Sequence, residues 1–212
     1  MQKSIVALAA LSFTLASCGP PEPVVIPEDV IDAGRTCFVA QGMVLREGKS
    51  EGDAVSYDEF AQSLRFALAA AAAAEPFSPD KVGEVLSGSE AVQEAIAAQD
   101  IDGAIPACEA KFGIDKTVEL PEDNAQAVLS CLSLAAFLQG AAQSQVADFG
   151  EEAADVAPLF ERLQARLEND PEVLVAMIQG GEQTMLDATK AAFAEGAPQE
   201  YIAACTARFP AE

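Results

Sequence analysis

The apolar residues of this chain recur every three or four positions, which is the spacing of amphipathic helices. Two stretches show this most clearly, because in each an isoleucine, a cysteine and a phenylalanine follow at the same intervals. They are Ile105, Cys108 and Phe112 near the middle, and Ile202, Cys205 and Phe209 near the end. Positions i, i+3 and i+7 share one helix face. We therefore predict two matching terminal helices that each turn this face toward a core.

Earlier segments of the chain also match in pairs. The face of the first predicted helix, 28–46, has the same spacing as a later face that includes a second cysteine; the two sets are Ala33, Cys37, Ala40, Val44 and Ala127, Cys131, Leu134, Leu138. Chance similarity among alanine-rich helices competes with duplication as the explanation, and the matched cysteines favour duplication. We predict an all-α fold, a tandem duplication of a helical unit of roughly 85 residues with four to five helices each. The units are 28–113 and 124–212, joined by a connector at 114–123.

Helix starts and breaks are visible in the sequence. Ser56 and Glu59 form a capping box that predicts the start of the second helix. Ser78 and Asp170 each precede a proline, which predicts two further starts. Glycines at Gly88 and at 180–181 predict breaks within the helices that follow.

Composition narrows the possible functions. There are 34 acidic and 12 basic residues, a formal net charge of −22, and no histidine. Binding of nucleic acid requires clustered Lys and Arg, so we expect no nucleic-acid partner. The absence of histidine removes the most common general base and metal ligand.

The N-terminus has the layout of a secretory signal peptide over residues 1–17, with Lys3 followed by an apolar run. Its end, Leu15, Ala16, Ser17 and Cys18, resembles the lipobox of bacterial lipoproteins. That resemblance implies cleavage before Cys18 and lipid attachment to its thiol, with Gly19 after it indicating the outer membrane, facing the periplasm. Several acyl chains would then hold the protein at the membrane. The proline-rich segment 18–27 is expected to form an extended tether, and no later stretch reads as a membrane span.

Four cysteines remain after Cys18, and three disulfide pairings are possible. Duplication favours Cys37 with Cys108 and Cys131 with Cys205, each tying the first helix of a unit to its last. Metal binding and redox catalysis are disfavoured because no Cys-x-x-Cys pair is present. We expect structural bridges in an exported protein.

The sequence presents no recognisable catalytic, cofactor or metal site. Asp100, Asp102 and Gly103 superficially resemble a calcium loop but lack its other ligands, so a helix cap is favoured. A paired-carboxylate hydrolase stays open, although no pair stands out. We therefore expect a non-enzymatic protein without a cofactor.

Three functions are compatible with these features. The first is a membrane-anchored envelope lipoprotein that serves as an interaction or structural module for an envelope protein. The second is a periplasmic acid-stress chaperone, because carboxylates that titrate near pH 4 would abolish the negative charge and uncover alanine-rich faces; the chain resembles the small acid-activated chaperones of enteric bacteria in general type. The third is an immunity-type protein that binds a cationic partner.

Overall fold

The computed structural model describes residues 20–50, 53, 56–114, 117–144 and 156–211, with the side chains of 143–144 left undescribed. Within these ranges the chain is all-α, as predicted. The helices are α1 (Val30–Arg46), α2 (Tyr57–Ala73), α3 (Lys81–Leu86), α4 (Ser89–Ile96), α5 (Ile101–Phe112), α6 (Asn124–Ser144), α7 (Val156–Asn169), α8 (Pro171–Ala194) and α9 (Pro198–Arg208).

Local sequence signals account for most helix ends. Asp29 caps α1 by accepting from the backbone N–H groups of Ile31 and Asp32, and the predicted capping box at Ser56 and Glu59 is present. Asp170 caps α8, which begins at Pro171. The predicted start at Ser78 is displaced, since α3 begins at Lys81 after a turn in which the Asp80 N–H donates to Ser78 Oγ.

Both predicted glycine breaks occur. Gly88 adopts a left-handed conformation, φ +75°, and separates α3 from α4. Gly181, with φ +57° and ψ −142°, kinks α8 without ending it. Only glycine adopts such angles at little steric cost. The two halves therefore have corresponding helices in the same order: α1, α2, α3–α4 and α5 correspond to α6, α7, the kinked α8 and α9. That the halves arose by duplication stays a prediction.

The two halves share one main hydrophobic core. Helix α2 from the first half packs against α8 and α9 from the second. Its Leu64 and Leu68 belong to the same buried cluster as Leu134 of α6, Leu163 of α7 and Tyr201 of α9. Two small satellite clusters surround α1. The sequence left open whether the repeats form two domains or one bundle, and the shared core favours one bundle.

One helix among the described residues has the length and apolar composition of a membrane span. It is the window Asn124–Ala142 within α6, where 61% of the residues are buried inside the protein. The window lies among α7, α8 and α9, and a buried core helix of a folded protein has the same composition. The sequence analysis predicted no membrane span after the signal peptide and did not identify this window.

Part of the segment that we expected to form an extended tether packs on the protein. From Glu22 onward it lies on the protein: the Asp100 N–H donates to Glu22 O at 2.7 Å, and Pro23 pairs in parallel with Asp100. Val24 is buried with Val39 and Ile96 in a satellite cluster. The segment is extended, as prolines require. Val24 and Ile26 pack against the protein because burial removes their apolar surface from water, whereas Val25 is 80% exposed.

Candidate functional site

The four cysteines of the described residues form the two predicted bridges. Cys37 is bonded to Cys108 with a Cα–Cα distance of 5.7 Å, and Cys131 to Cys205 with 5.8 Å. All four side chains are fully buried. Each bridge ties the first helix of a half to its last, so the cysteines serve as braces with no access for substrate or metal.

The residues that accompany the cysteines also face the interior. Phe209 is buried, and Phe112 and Ile202 are partly buried against the main core. Ile105 packs against both satellite clusters. The shared helix face is thus a packing surface. Cys18, the predicted lipid attachment site, lies outside the described residues.

A cleft of about 610 Å³ opens between α1, α2 and the α3–α4 pair. Its apolar lining consists of Phe38 and Leu45 from α1, Phe60 and Leu64 from α2, and Leu86 from α3. The Gly88 break positions α4 at one side, where Ser89 and Glu90 line the cleft. The volume falls in the range of about 300–1,000 Å³ typical of small-molecule sites.

Two cations and two carboxylates line this cleft. Lys49 pairs with Glu59, whose second carboxylate oxygen accepts from the Ser56 N–H at 2.8 Å. The hydrogen bond from Lys49, reinforced by that from the Ser56 backbone, holds the pKa of Glu59 below its ordinary value. The other two are Arg46 and the exposed Glu90. The cleft is thus charge-balanced within a chain of net charge −22.

Arg46 differs from the other cations that the structure describes. Within the described ranges its side chain has no ion pair, hydrogen bond or ring contact, although its backbone C=O accepts from the Lys49 N–H at 3.1 Å. The other described Lys and Arg residues each have such a partner; they are Arg35, Lys49, Arg65, Lys81, Lys111, Arg162, Arg166, Lys190 and Arg208. Arg46 lies in the last turn of α1, where it complements the helix dipole. It also lines a hollow beside Pro21, close to where the N-terminal segment reaches the protein.

A second surface feature is an apolar stretch on α8, defined by Leu174, Val175 and Ile178. Their relative exposures are 38%, 49% and 80%. Residues 178–183, which include the Gly181 kink, are all exposed. Large apolar side chains grouped on one exposed helix face commonly mark contact surfaces.

The described residues present no other candidate for chemistry. They contain no group of three or more His, Cys, Asp or Glu that could hold a metal ion. Asp100 is a helix cap, as predicted, accepting from the Gly103 N–H at 3.0 Å. Tyr201 is buried and donates to Ser130 Oγ at 3.0 Å, and burial raises its pKa.

Sequence reasoning missed the cleft. The sequence predicted a first helix over 28–46 and a second one starting at Ser56, but helix periodicity does not show that Arg46, Phe60 and Leu64 line one cleft. The available signal was an interior glycine, Gly42, on α1 opposite those residues. Protein-family models, curated proteins and solved structures were compared with the chain, and none matches it.

Proposed function

We propose that this protein is a lipid-anchored lipoprotein of the bacterial envelope that acts as a non-catalytic interaction module. The observation that carries the proposal is the exposed apolar stretch of α8 on a body braced by two disulfides. Disulfides persist in oxidising compartments, which agrees with export through the predicted signal. A rigid body presents such a stretch to a partner with little entropic cost of ordering.

The anchor assigned to Cys18 is tested by metabolic labelling with an alkyne-tagged palmitate. Incorporation into the wild-type chain, lost in Cys18→Ala, is the expected result. Labelling that persists in Cys18→Ala would contradict lipid attachment at this residue.

The interaction role is tested by site-specific photocrosslinking in cells. A photoreactive amino acid replaces Ile178 in the apolar stretch, and a matched control replaces Gln93, an exposed residue of α4. We expect one dominant crosslinked envelope protein from position 178 and none from position 93.

The same experiment separates the alternative function. A broad set of unrelated proteins, captured from position 178 more strongly after acid treatment of the cells, would favour the acid-stress chaperone. Equal capture from both positions would contradict a specific contact at α8.

A further inference from the structure

We propose that the cleft between α1, α2 and α3–α4 binds one hydrocarbon chain of an anionic amphiphile, with its carboxylate or phosphate at Arg46. The proposal goes beyond the interaction role and concerns a different surface. Five apolar side chains line the cleft. A hydrocarbon chain laid on them would leave water, and each methylene that is buried adds to the affinity.

Gly42 supplies an independent observation. It lies in the interior of α1, where glycine is less favourable than alanine, and it lines the cleft. Packing does not require it, because a Cβ built at Gly42 meets nothing within 4 Å. Gly34 of the same helix differs, since a Cβ there would collide with the Cβ of Ala70. The small residue at position 42 leaves room in the cleft that a side chain would occupy.

Charge selects the kind of amphiphile. Lys49 is engaged by Glu59, which leaves Arg46 as the cation of the lining that is free to receive an anion. Arginine binds carboxylate and phosphate with two parallel hydrogen bonds. Charges farther away than about 8 Å are screened at physiological ionic strength, so the carboxylates that oppose an anionic head group are those beside Arg46. They are Glu90 in the cleft and Glu47, Asp100 and Asp102, which line the hollow beside Pro21 together with Arg46.

The position of the cleft agrees with a lipid ligand. Arg46 lines both this cleft and the hollow beside Pro21. If Cys18 carries the anchor, only two residues lie between it and Pro21, and the three residue steps reach about 10 Å at about 3.3 Å each. Arg46 would then lie close to the membrane surface.

The probe for the test is a photoreactive C16 fatty acid. The full-length exported protein is reconstituted in phosphatidylcholine nanodiscs, irradiated with the probe, and the labelled peptides are located by mass spectrometry. We expect saturable labelling of peptides that contain Phe38, Phe60 and Leu86. A chain that elutes apart from the nanodiscs would contradict the anchor, and the same labelling is then carried out in solution.

Variants with opposite expected signs distinguish binding from misfolding. Gly42→Leu fills the cleft and should weaken labelling at least about tenfold, whereas Gly42→Ala should change it little. Gly140→Leu is a matched control, because a Cβ there also meets nothing within 4 Å. Arg46→Gln should weaken labelling about tenfold, the effect of losing one hydrogen bond to a charged group. Glu90→Gln should strengthen it.

Competition identifies the head group. Palmitate and a lysophosphatidylglycerol share the chain and differ in the anion, and the better competitor indicates a free fatty acid or a membrane lipid as the source. Hexadecanol, which is uncharged, should displace the probe from the wild-type protein less well than palmitate does. From Arg46→Gln, hexadecanol and palmitate should displace the probe equally well. Any of three results would overturn the proposal. They are labelling that is unchanged in Gly42→Leu, labelling that spreads over peptides outside the cleft, and competition by neither anion.

Discussion

Glycine has a different structural role at each of two positions in α1. Gly34 allows α1 to approach α2 closely, since an added Cβ would collide with Ala70. Gly42, two turns later, contacts nothing that would exclude a side chain. The sequence shows two glycines in one helix. Only the packing of α2 against α1 shows that Gly34 is required and that Gly42 has room for a side chain.

We predict that Gly34→Ala destabilises the protein by about 1–3 kcal/mol, because overpacking forces two rigid helices apart. Gly42→Ala, its matched control, should stabilise the protein by about 0.5–1 kcal/mol through helix propensity. Urea denaturation of both variants checks this. Equal effects of the two substitutions would contradict the close approach at Ala70.

Tyr201 is a second residue whose role depends on burial. Its hydroxyl donates to Ser130 Oγ, which in turn donates to Gln126 O at 2.8 Å. Desolvation raises the pKa of Tyr201 above its ordinary value of 10.0. The neutral phenol is thus favoured in the fold, and its contribution to stability is complete below pH 10 and lost as pH rises through the raised pKa.

We predict that Tyr201→Phe lowers the unfolding free energy by about 1 kcal/mol at pH 7, and that the difference from wild type shrinks at pH above 10. Urea denaturation at pH 7 and at successive values above 10 measures it. A constant difference across this range would show that Tyr201 titrates normally in the folded state.

At the scale of elements, short-range signals located most helix ends. Side-chain caps at Asp29, Ser56 and Asp170 and the left-handed Gly88 act within one turn, so they can be read without tertiary contacts. The predicted start at Ser78 is displaced to Lys81, and the tether predicted over 18–27 gave no indication that Val24 packs on the protein. Docking of Val24 against α1 and α4 depends on helices far away in sequence, which no local pattern encodes.

The capping box of α2 yields a pH-dependent prediction. Hydrogen bonds from Lys49 and the Ser56 backbone lower the pKa of Glu59 below 4.5. Its contribution to stability is therefore present above pH 4.5 and lost as pH falls through the lowered pKa. Glu59→Gln keeps the Ser56 cap and an acceptor for the Ser56 N–H but removes the charge that pairs with Lys49, so it should cost about 0.5 kcal/mol at pH 7, and the cost should fade in acid.

Denaturation of Glu59→Gln between pH 3 and pH 7 measures this effect. Glu94→Gln, which removes an exposed carboxylate of α4, is the control and should have little effect at any pH. A cost for Glu59→Gln that persists at pH 3 would assign the effect to lost packing instead of lost charge.

At the scale of the whole molecule, the main core joins both halves while each disulfide stays within one half. Leu64 and Leu68 of α2 are buried with residues of α6, α7 and α9. The bridges span 71 and 74 residues in sequence. Loops of this size each restrict the unfolded chain by on the order of 4 kcal/mol in the chain-entropy description.

We predict that replacing either bridge by alanines, Cys37→Ala with Cys108→Ala or Cys131→Ala with Cys205→Ala, lowers the unfolding free energy by about 2–5 kcal/mol. Because the core is shared, unfolding should remain one cooperative transition in each variant. Circular dichroism and calorimetry should therefore report coincident midpoints. Two separated transitions would show that the halves are independent domains.

The sequence by itself determined the all-α class and most helix boundaries, because helix periodicity and caps are local. For the cysteines it favoured one of three possible pairings, Cys37 with Cys108 and Cys131 with Cys205, which the structure confirms. Tertiary structure alone decided that α2 joins a core with α6–α9, that Val24 is docked, and that Phe38, Gly42, Arg46 and Phe60 line one cleft. These features arise from contacts between helices, whose relative placement depends on packing of the whole chain and not on any periodicity within one segment.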